Sequence, residues 1–188
     1  MLIRILSFLL ETLFFVLIGA ALLRAWMNYQ RINMRAQPGI FVMAVSDWIV
    51  KPLRRVLPTA VAQSRVDWAS VLAAFVLALL SAVLGVLLIG MLSGGLRGAD
   101  FGPMLLPALL LGALKMLLRV ALQVAFIAVL AFAIISWVQP GSPMYGLLGR
   151  LTEPLLAPLR RIIPQIGGVD LSALVLLLLL QIGLMVLG

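Results

Sequence analysis

Lys51-Pro52-Leu53-Arg54-Arg55-Val56-Leu57-Pro58 recurs about a hundred residues later as Ala157-Pro158-Leu159-Arg160-Arg161-Ile162-Ile163-Pro164. The likeness extends in both directions. Ser46-Asp47 stands as far before the first copy as Thr152-Glu153 stands before the second, and Val66-Asp67 after the first is answered by Val169-Asp170. Each copy then enters a long apolar segment. Prolines, arginines, a preceding acid and a following Val-Asp in the same order twice mean that the chain is a duplication.

The composition fixes the solvent. Of the residues 64% are hydrophobic and 11% charged, with a mean hydropathy of +1.24, which is far from a soluble domain and indicates an integral membrane protein. The net charge of +8 would suggest nucleic acid in a soluble chain. Here the basic residues lie between apolar spans, so anionic lipid headgroups are the expected partners and nucleic acid is not. With no Cys and no His, the chain cannot make disulfides, Cys/His zinc sites, thiol or imidazole catalysis, or His- or Cys-ligated haem. No cofactor is expected, and no metal.

In chain order, Leu2 to Leu23 form an apolar run interrupted by Arg4, Ser7, Glu11 and Thr12, long enough for a first membrane span, since crossing the hydrocarbon core takes about 20 residues. The run is longer than a signal-peptide core, carries Glu11, and is not followed by a clear small-residue cleavage site. A basic loop follows from Arg24 to Val66, with Trp26, Tyr29 and Trp48 interleaved and a turn at Pro38-Gly39. Within it Val42, Val45, Ile49, Leu53 and Val56 recur at helical spacing with Asp47, Lys51, Arg54 and Arg55 on the other side, the pattern of an amphipathic helix lying in the membrane interface. Pro52 inside such a helix costs about 3 kcal/mol, which predicts a break near Lys51 and a second short turn ending before Pro58. Trp68 to Leu92 is the second span. A Gly-rich connector, 93–102, with a turn at Ser93-Gly94-Gly95 and Arg97 and Asp100 exposed, separates the copies.

The apolar run from Pro103 to Val138 is too long for one crossing of a core about 30 Å thick. Lys115 and Arg119 belong near a boundary, so the third span is expected to start around Met116, with Pro103 to Leu114 either interfacial or a tilted extension. Gln139-Pro140-Gly141-Ser142-Pro143 stops that helix. The second loop carries Arg150, Arg160 and Arg161, and Leu171 to Leu187 is a short fourth span.

The expected fold is therefore an all-α membrane protein: four transmembrane helices arranged as two hairpins in parallel repeat, each with an amphipathic interfacial helix in its loop. Residues 1–92 form the first repeat, 93–102 the connector and 103–188 the second repeat. Loops 24–67 and 139–170 must share one side and together hold ten Lys or Arg against four elsewhere, which places both in the cytoplasm and both termini on the opposite side. All four Trp and both Tyr fall on that same side.

Several residues invite a role. Asp67 and Asp170 each precede an apolar helix at the N-cap position, where a carboxylate accepts orphan N–H groups; alternatively the pair binds a cation or relays a proton. Arg54, Arg55, Arg160 and Arg161 either bind lipid phosphates, pair with those acids, or grip an acidic partner. Asp47 and Glu153 belong to the same polar groups. Glu11 lies inside the first span and either faces Lys115 or Arg119 across the bundle or belongs to the outer interface, and Gln123 is placed to hydrogen-bond between helices. No nucleophile with a base, phosphate loop or metal-ligand spacing occurs, so no catalytic residue is assigned.

Two copies of Ser/Thr-acid, a gap, Pro-Leu-Arg-Arg-apolar-apolar-Pro, then Val-Asp before an apolar helix resemble the YggT family of bacterial membrane proteins, over nearly the whole chain. The short Gly-containing linker typical of that family is present in Pro164-Gln165-Ile166-Gly167-Gly168-Val169-Asp170. The first copy, Pro58 to Asp67, is longer and lacks glycine, and it has Trp48 where the second has Pro154. The resemblance implies a multi-pass inner-membrane protein without catalytic residues, whose relatives are associated with osmotic or potassium stress tolerance, with cell-division neighbourhoods, and in chloroplasts with cytochrome assembly and thylakoid organisation. It leads to the expectation of a non-enzymatic scaffold or assembly factor, with a second copy or another membrane protein as partner. An ion or osmolyte channel, transporter or regulator is the alternative.

Overall fold

The computed structural model describes residues 1–35, 37–57, 66–92, 104–163 and 170–187. The described residues form six α-helices and no strand: α1 (Leu2–Tyr29), α2 (Gly39–Val56), α3 (Trp68–Leu92), α4 (Leu105–Val138), α5 (Pro143–Arg160) and α6 (Leu171–Leu187). Three of them, in α1, α3 and α4, are long and apolar enough to cross a membrane; α6 is a shorter apolar helix of 17 residues. The chain divides into two compact units, Met1–Tyr29 with Asn33–Val120, and Gln30–Ile32 with Ala121–Gly188.

In the first unit α1 packs chiefly on α3, with α2 lying against both. The buried faces are rich in small residues, Gly19, Ala20, Ala21 and Ala25 on α1 and Ala69, Ser70, Ala73, Ala74 and Ala78 on α3, with Phe14, Ile18, Met27 and Leu77 set among them. Water-to-hydrocarbon transfer offers no force between helices in lipid, so close backbone approach and dispersion must hold them, and small side chains permit it. Many of the other large side chains point outward: Leu2, Phe8, Leu13 and Val16 on α1 and Leu72, Val76 and Leu80 on α3 are exposed. In the second unit α5 packs on α6, and the Phe132 ring of α4 stacks on Tyr145 of α5 at 5.4 Å. Gly183 of α6 marks a close approach to α4, since a Cβ there would stand 3.1 Å from Leu122 Cδ1.

Two expectations are revised and one open alternative is narrowed. The helix of the first span does not stop at Leu23 but continues to Tyr29, because Arg24, Ala25 and Met27 are buried and hold the last turns. α2 does not break near Lys51, although it ends before Pro58 as anticipated. Pro52 lies on the exposed face, so the carbonyl its ring deprives of a partner, that of Trp48, lies on an exposed residue and can be solvated. The same holds for Pro154 and Pro158 within α5, both exposed. The stretch before Met116, left as either interfacial or a tilted extension, continues the helix of the third span, which runs unbroken for 34 residues from Leu105, about 51 Å at 1.5 Å per residue. Pro107 falls in its first turn, where the missing N–H has no helical partner to lose. The Ser93-Gly94-Gly95 turn, Arg97, Asp100 and the Pro164 to Val169 linker lie outside the described residues.

The face that α2 turns inward also differs from the apolar stripe read from spacing. Gly39, Val42, Ser46 and Val50 are buried, whereas Val56 is exposed and Val45 and Ile49 are only partly covered. The inward side is thus rotated toward Ser46 and Asp47, and the reason is a charge waiting on α1.

Candidate functional site

That charge is Arg24. Its position near the end of α1 leaves its side chain only 7% exposed, facing α2 and the start of α3. Nη1 donates to Asp47 Oδ1 at 2.7 Å and to Ser46 Oγ at 2.9 Å. Nε stands 4.0 Å from Asp67 Oδ2, close enough for ionic attraction but beyond hydrogen bonding, and finds no acceptor among the described residues. Ser46 in turn donates to the Val42 carbonyl at 2.7 Å, one helical turn back, so its oxygen is oriented to receive the guanidinium. Lys51, one turn beyond Asp47 on α2, closes the other side of that carboxylate at 2.7 Å.

Asp67 collects more partners. Its Oδ2 accepts from Asn28 Nδ2 at 2.6 Å, Arg54 Nη2 at 2.8 Å and Ser70 Oγ at 2.9 Å, while Oδ1 accepts the Ser70 backbone N–H at 3.3 Å. The last contact is an N-cap, satisfying an orphan donor of α3. Asp67 therefore joins the C-terminal part of α1, the end of α2 and the start of α3. Burial would raise its pKa, but the Ser70 hydroxyl, the Arg54 charge and the Asn28 amide outweigh it and hold the carboxyl below its usual value. Asp47 is also held low, first by the hydrogen bond from Lys51 and, against some desolvation, by Arg24.

The second copy reaches a related arrangement with different parts. Arg160 bridges Glu153 (Nη1 to Oε2, 2.6 Å) and Asp170 (Nη2 to Oδ2, 2.7 Å) and lies over the Phe132 ring, 5.9 Å from its centroid. Asp170 caps α6 through the Ser172 N–H at 3.1 Å and also accepts from the Ser172 hydroxyl. Its carboxyl, too, lies below its usual value: desolvation pushes up, and Ser172 and Arg160 push down harder. Thr152, the counterpart of Ser46, is buried and donates to the Leu148 carbonyl at 2.8 Å.

In both copies one arginine spans the acid of α2 or α5 and the acid capping the next apolar helix, but it is Arg24 from α1 in the first and Arg160 from α5 in the second. The balance of charge differs accordingly. Among the described residues, Arg24, Lys51 and Arg54 face two carboxylates in the first cluster and Arg160 alone faces two in the second.

Of the residues singled out from sequence, Arg54, Asp47 and Asp67 are thus brought together, as are Arg160, Glu153 and Asp170. Arg55 is exposed and Arg161 projects without an ion-pair partner among the described residues. Glu11 and Arg119 are likewise exposed and unpaired among the described residues; Lys115 is exposed and Gln123 half-buried. The residues missed were Arg24 and Asn28. Their signal was available, because a cation and an amide four apart share one face of a helix whose preceding turns are wholly apolar.

Long helices with apolar outward faces, and charged side chains gathered at helix ends, fit an all-α membrane protein. A family model described as CCB3/YggT matches residues 2–88 and 111–188, and the chain belongs to that family. It is 38% identical over 183 residues to a Vibrio alginolyticus protein of the proC 3′ region, covering 97% of this chain and 92% of that protein. It is 34% identical over 178 residues to YggT of Escherichia coli (strain K12), covering 94% of this chain and 86% of the relative. A Haemophilus influenzae protein is 31% identical over 161 residues, or 85% of this chain and 78% of that one. No solved structure matches the chain.

Proposed function

We propose that the protein is a non-enzymatic scaffold or assembly factor of the bacterial inner membrane, crossing it four times through α1, α3, α4 and α6, with α2 and α5 lying on the cytoplasmic surface. The observation that carries this reading is the fastening of α2. Its polar inner side is held by Arg24 and Asp67, so the side left outward presents Ile40, Phe41 and Trp48 together with Lys51 and Arg55. An amphipathic helix of that kind sits in the headgroup layer, with rings at the acyl boundary and cations on phosphate. The acids themselves are engaged in caps and ion pairs, which supports structural fastening over solute coordination. Anionic lipid is the first partner of this surface, and a membrane protein or second copy is the second. Family resemblance suggests that the assembly served supports osmotic or ion-stress tolerance.

The test is paired. Purified protein in liposomes should pass potassium and small osmolytes no faster than empty liposomes, while a deletion strain should regain stress tolerance from the wild type but not from Arg55→Glu with Arg161→Glu, at equal membrane level. Flux above background that disappears with Asp67→Asn would replace the scaffold with a permeation pathway.

A further inference from the structure

Glu11 and Arg119 are charges within the long apolar helices that neither cluster absorbs. Both are exposed on long apolar helices, and neither has a hydrogen bond or ion pair among the described residues. Their outward-facing neighbours are largely apolar, Phe8 and Leu13 beside Glu11, Leu114 and Leu118 beside Arg119, with Lys115 one turn before Arg119 also exposed. Along α1, Glu11 stands about 20 Å from Arg24 at 1.5 Å per residue. Along α4, Arg119 stands about 20 Å from Phe132, the ring beneath Arg160. With both clusters at one membrane face, which rests on the topology proposed above, an acid and a base lie at equal depth, roughly two thirds of the way through a 30 Å core. Neither can stay there facing lipid alone, since ionisable groups at that depth are paired or turned to a polar interior.

We propose that α1 of one copy packs against the N-terminal half of α4 of a second copy, with Glu11 of each chain paired to Arg119 of the other. The occupant is a second copy because a single contact supplies both missing charges. In the proposed topology α1 and α4 run in the same direction across the membrane. A twofold axis along the membrane normal therefore brings both Glu11–Arg119 pairs together at once and closes the dimer. A phospholipid would offer its phosphate at the headgroup layer, not at this depth, and would leave Glu11 without a cation.

The symmetry makes the test selective. Glu11→Arg gives a chain with two cations at the contact, and Arg119→Glu a chain with two anions; each should lose self-association by at least about tenfold, equivalent to 1.4 kcal/mol, in co-purification of differently tagged copies. Mixed together, the two variants should associate as the wild type does, because every contact is then between opposite charges. Rescue confined to the two changes placed in one chain would show pairing within the monomer and overturn the proposal. So would equal association of all combinations. A second readout does not depend on charge reversal. The chain has no cysteine of its own, so Arg4→Cys in one copy and Gly112→Cys in another, each seven residues before its charged partner on the same helical face, should form an intermolecular disulfide on oxidation. A Cβ at Gly112 meets nothing within 4 Å, so that variant is sterically free. Absence of that crosslink in membranes where thiol labelling puts both clusters on one face would sink the dimer while sparing the topology; clusters labelling on opposite faces would remove the topology itself.

Discussion

Arg24→Met should destabilise the protein more than any change to the duplicated arginines. The side chain is 7% exposed and donates from Nη1 to Asp47 and Ser46 at 2.7 and 2.9 Å. Methionine matches the stem but removes the charge. Removing one partner of a buried ion pair costs about 3–5 kcal/mol. Asp47, however, is 28% exposed and keeps Lys51, and Asp67 keeps Asn28, Arg54 and Ser70, so the expected loss falls at or just below the lower limit, about 2–3 kcal/mol. Arg54→Met removes a side chain that is 47% exposed and should cost only about 0.2–1 kcal/mol. Reversible unfolding by SDS titration of the detergent-solubilised protein, followed by tryptophan emission, measures both; Trp26, Trp48 and Trp68 lie on the helices that the cluster joins. Combining Arg24→Met with Asp47→Asn should cost less than the sum of the two single losses, because the uncompensated carboxylate is gone. Equal effects of Arg24→Met and Arg54→Met, or a loss below about 0.5 kcal/mol for the former, would refute the bridging role of Arg24.

Two further outcomes follow from the same geometry. Gly39→Ala would place a Cβ 2.6 Å from Met34 Cα and 2.8 Å from its carbonyl oxygen, so about 1–3 kcal/mol of stability should be lost in the same titration, while Gly112→Ala should be neutral. Asp47, Asp67 and Asp170 all have folded-state pKa values below the reference of 3.8, so their contribution is fully present above that value and disappears as pH falls through the lower folded values. Stability should therefore be level from neutral pH down to about pH 4 and fall below it, and Asp67→Asn, which keeps a capping oxygen, should flatten that fall.

The residues that were easiest to interpret were those whose chemistry is local. Asp67 and Asp170 read as caps because each stands directly before an apolar run, and Arg54 and Arg160 were within reach of them because a proline ends each copy three residues after the Arg-Arg pair. Arg24 was read as the first residue of a loop although its spacing from Asn28 fits one helical face; what the spacing does not tell is its partner, because the packing of α1 on α3 carries it inward to meet Asp47. The inward face of α2 followed from that contact, so an apolar count along the helix pointed to the wrong edge. The prolines misled for a related reason. Their cost depends on where the freed carbonyl points, which sequence spacing does not tell. The two copies, similar in sequence, also gave no warning that the bridging arginine would come from α1 in one and from α5 in the other.

Thiol accessibility in intact cells gives the most direct test of how the molecule sits and what it presents. With single cysteines on a background that has none, Leu2→Cys should react with an impermeant maleimide, whereas Gln37→Cys and Gln139→Cys should react only after the membrane is opened. Labelling of Gln37→Cys and Gln139→Cys in intact cells, or of one and not the other, would contradict two basic helices displayed together on the cytoplasmic face.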